Sequence, residues 1–327
     1  MTTLGQLPGQ EFVWGIPGTQ VEPTVAMGDQ QIFYVNSAHA NADDANYGTA
    51  PDAPLATIQE LINRSLGTGT ISNPALRTYD VVYVSGTVAE DVVTGNYTQM
   101  PSYISIIGVG PSRYSPSWTG SNAALPSLDL RCVGWRISGF RFYGKTGAAC
   151  VELRHTDSGA DDIAIRTQID NCYFDGLTTG LAGIVTHGCY DVWVKDCTFS
   201  LFHNGGGTAT AFLAGTTPLA IPYHQHVEGC HFYDNDNHYD CPSNGSFVRG
   251  CTFQKVGYAY TTTVTLRTSL PGNPGDDNVI SGNVLTGDYS NVGGYVAGAA
   301  DIWIGNFADD VAEAEVSDTG ITILPPT

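Results

Sequence analysis

Four phrases in the second half of the chain decide how it folds: IDNCYF (169–174), VKDCTF (194–199), VEGCHF (227–232) and VRGCTF (248–253). ISGFRF (137–142) aligns with them upstream, and ISGNVL (280–285) and WIGNFA (303–308) downstream. The first position is always β-branched or aromatic, as a buried strand requires. The third is Gly139, Asn171, Asp196, Gly229, Gly250, Gly282 and Gly305, the residue types that best tolerate a left-handed backbone. The fourth is Phe140, Cys172, Cys197, Cys230, Cys251, Asn283 and Asn306, and the sixth runs Phe142, Phe174, Phe199, Phe232, Phe253, Leu285 and Ala308. Residues two apart on a strand share a face, so both columns are predicted to enter one interior. The phrase reads as strand, one-residue αL bend, strand.

Successive phrases start 32, 25, 33, 21, 32 and 23 residues apart. A coil of 21 to 25 residues that sometimes carries an extra loop explains the spread, and the short bend predicts strands stacked in parallel about 4.8 Å apart. Neighbouring coils would bring the four aligned cysteines near disulfide range. Free thiols stacked as small apolar residues are the expectation, because a straight ladder is a packing solution. No C-x-x-C occurs, so zinc ribbons and thioredoxin-like sites have no support.

The chain has 327 residues, which at about 150 per domain suggests two domains, but a repeat architecture escapes that rule. Thirteen basic residues face 32 acidic ones, a net charge of −19. Nucleic acid is bound by neutralising its phosphates, so it is not an expected partner. The first residues show no secretory signal pattern, and no window approaches about 18 uninterrupted apolar residues, so membrane insertion is not expected. There is no P-loop, HExxH or GxSxG motif, which leaves nucleotide, zinc-protease and serine-hydrolase readings without residues.

A solenoid needs a cap over its first coil. Thr57 and Glu60 form a capping box ahead of Leu55, Ile58, Leu61 and Ile62, so a short helix is predicted over about residues 57–66. DVVYVSG (80–86) and YISIIGVG (103–110) read as the first stacked strands. These columns, together with YVNSAHANADDANYGTAPDAPLATIQELI (34–62), resemble the right-handed parallel β-helix of the pectin-lyase-like superfamily. There a strand turns through an αL Asn or Gly, and like residues stack as aliphatic, aromatic, Asn or Cys ladders. The resemblance covers residues 32–310. It implies an all-β, single-stranded right-handed parallel β-helix solenoid with a short N-terminal capping helix and an extended N-terminal arm.

Residues 1–31 carry Pro8, Pro17 and Pro23 and little periodicity, and so are expected to form an extended arm rather than a packed unit. Residues 311–327 read as an acidic C-terminal cap and tail with a last strand, ITIL, stopped by Pro325 and Pro326. In phage tailspikes and other virion β-helix proteins such N-terminal segments often dock onto the particle, and Phe12, Trp14, Ile16 and Val21 offer apolar contacts for this. The resemblance implies a homotrimer, helped by the exposed-looking aromatics Trp118, Trp193 and Trp303.

Three constellations are candidates for chemistry. Asp161 and Asp162, with His187 about 25 residues later, resemble polygalacturonase motifs in which paired carboxylates perform acid/base hydrolysis. The match is incomplete, since Thr186 replaces the first glycine of G-H-G and no R-I-K triplet follows. Pectate lyases need an Arg or Lys base beside carboxylate-held calcium; Arg154, Arg166, Arg249 and Arg267 are available, without a family motif. HQHVEGCHFYDNDNHYDC (224–241) is the most polar run: either a solvated loop, or a sugar- or receptor-binding loop with Tyr233, Asp234, Asp236, His238 and Tyr239 as its binding residues and the tyrosines as stacking platforms. Its D-N-D-N lacks the Gly and Glu of a calcium loop, so no metal and no cofactor is expected.

The reading is a structural virion protein of a bacteriophage, a tail spike, fibre or capsid-surface decoration, that contacts a host surface polysaccharide and meets other virion proteins through its arm. The alternative is a polysaccharide-degrading β-helix enzyme, a hydrolase or lyase, working outside the cell.

Overall fold

A computed structural model describes residues 30–112, 115–155, 162–214, 222–255, 264–268, 275–287, 295–296, 298 and 300–308. Most of the proposed arm, the C-terminal tail and Asp161 lie outside the described residues.

Among these, every strand ladder is parallel, in three sheets of ten, eight and eight strands. The first sheet runs from Ile32–Asn36 to Ile302–Ile304, the second from Ser117–Trp118 to Phe307–Ala308, and the third from Val92–Val93 to Tyr295–Val296. Each coil contributes to the sheets in turn, so strands far apart in sequence become neighbours in register. The first column of the phrase continues upstream as Phe33, Val82 and Ile106, paired rung by rung through Ile137, Ile169, Val194, Val227, Val248 and Ile280 to Trp303. All ten are buried.

The bend column is left-handed at all seven positions, with φ between 52° and 82°. At Gly139 a side chain is barred twice, because a Cβ would also lie 2.7 Å from the Gly108 carbonyl oxygen. Beyond the bend, ring stacking runs along the second sheet: Trp118, Phe142, Phe174, Phe199, Phe232 and Phe253, with neighbouring centroids 4.7–5.2 Å apart. Strand spacing imposes that distance, and near-parallel planes are the way identical rings fill it.

The fourth column has one further task. Its side chains approach the first-column carbonyl of the preceding coil: Cys172 that of Ile137, Cys197 that of Ile169, Cys230 that of Val194 and Cys251 that of Val227, at 3.5–3.9 Å. Asn283 and Asn306 do the same with full hydrogen bonds to Val248 and Ile280, at 2.9 and 3.0 Å. The asparagines thus satisfy the carbonyl of the preceding coil, while each thiol sits between that carbonyl and a nearer one two residues back in its own coil, at 3.2–3.4 Å. All eight cysteines are free and buried, and burial pushes the Cys132 and Cys241 thiols up to about 12.

The predicted cap is the helix Ile58–Ser65, with Thr57 as N-cap. Glu90 adds a carboxylate that accepts from the Ile58 and Gln59 backbone amides, at 2.6 and 3.1 Å, where the helix dipole favours negative charge.

Two expectations differ from the structure. Trp118 and Trp303 are 0% and 4% exposed, at the start of the ring stack and at the end of the first column. Trp193 does face outward, stacked on His226 at 3.7 Å, with Phe247 continuing the row. The run 224–241 is no solvated loop but one coil of the solenoid, comprising the strands Tyr223–Glu228, His231–Tyr233 and Asn237–Asp240. Its polar residues from Asp234 to Asp240 are buried, and neighbouring coils supply partners to them: His203 to Asp236, Phe199 O to Asn235, Ala209 O to Asn237 and Arg267 to Asp240.

A second left-handed column marks the corner from the third sheet into the first. Tyr79, Tyr103, Gly134, Arg166, Asp191, His224, Gly245 and Asp277 have φ between 50° and 74°, each two residues before an outward residue of the first sheet. The corner between second and third sheets adds Leu177, Thr178, Leu201 and Asp234.

Candidate functional site: a charged cluster on the third sheet

The strands Leu128–Leu130, Ala149–Arg154 and Ala182–His187 lie side by side, with Asp129 opposite Glu152 and Arg154 opposite His187. Period-two alternation sends Leu128, Val151 and Ile184 into the core and Asp129 and Glu152 to the outer face. Arg131 grips Asp129 with both ends of its fork, at 3.2 and 2.6 Å. Arg154 bridges the two acids, at 2.8 Å to Asp129 and 2.6 Å to Glu152. His187 Nε2 lies 3.6 Å from Glu152 Oε2.

Asp162 joins this cluster. Ile163 donates to the Arg131 carbonyl and Ala164 to that of Arg154, at 3.0 and 2.8 Å, which returns the chain along the strand end. The Asp162 charge adds to that of Asp129 in raising the Arg131 pKa, the Asp129 hydrogen bond being the larger cause. Of the residues predicted as catalytic, Asp162 lies on the Arg131 side of the cluster and His187 on its Glu152 side, and Asp161 lies outside the described residues.

Burial would push the Glu152 carboxyl up, but the His187 imidazole and the charges of Arg154 and Arg131 outweigh it and hold the group below the ordinary glutamate value. A depressed folded pKa contributes stability that is present above the unfolded value and lost as pH falls through the folded one. Glu152→Gln is therefore expected to cost about 1.5–3 kcal/mol at neutral pH, the worth of a hydrogen bond to a charged group. The gap in melting temperature between wild type and variant should close as pH drops below 4.5, the ordinary glutamate value. A gap that stays constant down to pH values near 3 would show Glu152 uncoupled from its neighbours.

The five residues predicted to bind sugar do not form one surface. Tyr233 faces outward on the second sheet, between Ser200 and Gln254. Asp234 and Asp236 are buried at the following corner, where Asp236 accepts from Asn204 N at 3.2 Å and lies 2.7 Å from His203 Nδ1. His238 packs edge-on to Phe232. Tyr239 is fully buried against Phe212, and burial pushes its phenol up. It fills the interior of the third sheet and offers no platform to solvent.

Arg154 was considered only as a lyase base, and Asp129, Arg131 and Glu152 escaped the sequence reading, although LDLR (128–131) and VELR (151–154) repeat one acid-Leu-Arg phrase. That repetition is the signal for two stacked, ion-paired outer rungs. Among the described residues no group of three His, Cys, Asp or Glu is placed to hold a metal ion, and no helix is long and apolar enough to cross a membrane.

Three parallel sheets wound coil upon coil, with stacked interior ladders, define a parallel β-helix. Comparison with solved structures agrees on the fold. Rhamnogalacturonan lyase superposes with a TM-score of 0.50 at 14% identity, over 85% of this chain and 74% of that one. Rice weevil pectin methyl esterase gives 0.36 at 13% identity, over 78% and 87%. Geobacillus virus E2 ORF18 gives 0.31 at 14% identity, over 86% and 62%. The first likeness is one of fold alone, and the other two carry no argument. No protein-family model matches the chain, and no curated protein sequence matches it.

Proposed function

We propose that the chain is a structural virion protein of a bacteriophage, a tail spike, fibre or capsid-surface decoration, whose β-helix projects outward for host-surface or glycan contact. Residues 1–31 anchor it to other virion proteins, and the assembly is a homotrimer, for which outward Trp193 supplies an apolar contact. The observation that carries contact over catalysis is the state of Glu152. Hydrolysis of a glycosidic bond by two carboxyls needs one that keeps its proton near neutral pH. Glu152 is held in the opposite direction, and Arg131 and Arg154 are engaged with Asp129 and Glu152. Such a saturated cluster presents hydrogen-bonding groups to sugar hydroxyls without a free acid.

One observation favours the second reading, a polysaccharide-degrading enzyme: His187 stands beside Glu152 at 3.6 Å, longer than a hydrogen bond but close enough to tighten into one when substrate binds. Incubation of the full-length protein with purified surface polysaccharides of candidate hosts, followed by size-exclusion chromatography, separates the two. Unchanged polymer length is the expected result. Shortened chains, with the activity lost in His187→Ala and Asp162→Asn, would establish the enzyme instead.

A further inference from the structure

We infer that the ridge formed by Tyr79, Tyr103, Arg166, Asp191 and His224, along the corner from the third sheet into the first, is a binding strip for an uncharged polysaccharide lying parallel to the helix axis. The inference deepens the glycan-contact reading and rests on it.

The backbone gives the first reason. A left-handed conformation suits glycine and tolerates Asn and Asp, while a bulky side chain there is strained. The bend between the first and second sheets follows that rule at all seven aligned rungs, with Gly, Asn or Asp throughout. At the ridge the same conformation holds two tyrosines, an arginine and a histidine. Backbone strain of this kind persists where the side chain has a task, and ligand clamps are among the places where it collects.

The side chains give the second reason. Tyr79 and Tyr103 stack with centroids 5.4 Å apart. Arg166 Nη1 donates to the Tyr103 hydroxyl at 3.2 Å, Arg166 lies 4.0 Å from Asp191, and Asp191 lies 3.2 Å from His224. Glycines on neighbouring rungs make room: a Cβ on Gly134, between Tyr103 and Arg166, would fall 2.4 Å from the Tyr103 ring, and one on Gly245, the rung after His224, 3.0 Å from the His224 ring. The result is a line of aromatic surface, hydroxyl, guanidinium, carboxylate and imidazole, with the Arg166 and His224 side chains 60% and 57% exposed.

The ligand class follows from shape and charge. A ridge with side chains on five of six successive rungs, Gly134 being the sixth, matches an extended polymer that repeats the same hydroxyls and apolar ring faces, and Tyr and Arg are side chains that combine stacking with hydrogen bonding. A polyanion is disfavoured, because Arg166 already pairs with Asp191 and the chain carries a net charge of −19.

Glycine substitution tests the strip, since it removes the side chain and relieves the backbone at once. Full-length wild type, Tyr103→Gly/Arg166→Gly and Glu152→Gln are run in native gels containing a neutral galactan, soluble chitin oligosaccharides or polygalacturonate, with melting temperature and native mass recorded for each. The expected result is retardation of wild type by a neutral polymer and not by polygalacturonate. The double glycine variant should bind at least tenfold more weakly at an unchanged or higher melting temperature. Binding that survives in the double variant but disappears in Glu152→Gln overturns the ridge and leaves the glycan reading standing on the third sheet. A lowered native mass in the double variant makes the ridge a subunit contact and also overturns it. Wild type that binds none of the three polymers overturns the glycan-contact reading itself.

Discussion

Phe199→Ala is expected to unfold or aggregate the protein under conditions where wild type is stable. Phe199 is sandwiched between Phe174 and Phe232, with centroids at 4.7 and 4.9 Å and planes within 5°. Its ring also occupies the side of Gly183 where a Cβ would stand 3.0 Å from Cδ1. Truncating a buried phenylalanine costs about 3–5 kcal/mol, because the transfer free energy is lost and the surrounding structure only partly closes on the cavity. Domains of ordinary stability hold about 5–15 kcal/mol in total. The flanking rings cannot collapse into the gap, since each is fixed by its own strand in register with the next. Urea unfolding followed by far-UV circular dichroism measures the effect. In a solenoid the loss can begin locally, so amide exchange in the coils around Phe199 provides a second readout. A variant that loses less than about 1 kcal/mol, the usual range for surface positions, would contradict the ring stack.

The same column shows how much of the fold could be read from the sequence. Every coil faces the same three demands at the bend: a buried β-branched residue, a left-handed turn, and a side chain that meets a carbonyl of the preceding coil. The answer is repeated in similar letters from Ile137 to Trp303, so the phrase is visible. Elsewhere the coil answers with varied letters. The corner into the first sheet is left-handed at eight successive turns, yet Tyr, Gly, Arg, Asp and His at those positions share no sequence signature. The strand Asn237–Asp240 was hidden by polarity, because its buried groups are satisfied by other coils: Asn237 donates to Ala209 O, and Asp240 pairs with Arg267.

The candidate site was half legible for a related reason. Asp162 and His187 drew attention as catalytic residue types, and they do approach the outer face of the third sheet. Their partners Asp129, Arg131, Glu152 and Arg154 lie one or two coils earlier and are joined by register, which requires knowing the length of each coil. Trp118 shows the same limit. No phrase surrounds it to fix its register, and only its pairing opposite Phe142 reveals that it faces inward.

Removing the N-terminal arm is expected to abolish attachment to the particle while leaving the β-helix intact. The first described strand begins at Ile32 and pairs residue for residue with Val81–Ser85, so a chain of residues 30–327 keeps every rung. Residues 1–29 hold Phe12, Trp14, Ile16 and Val21 without a periodic face. A segment of that composition gains by burying its apolar groups on a partner and must offset the entropy of ordering when it does so. The measurement is the amount of full-length and of 30–327 chain in gradient-purified phage particles after co-expression during infection, quantified by mass spectrometry. The proposal predicts full-length chain in the particles, with the 30–327 chain soluble, melting at the wild-type temperature and absent from them. Particles that carry the 30–327 chain at the full-length level, or that carry neither, would contradict it.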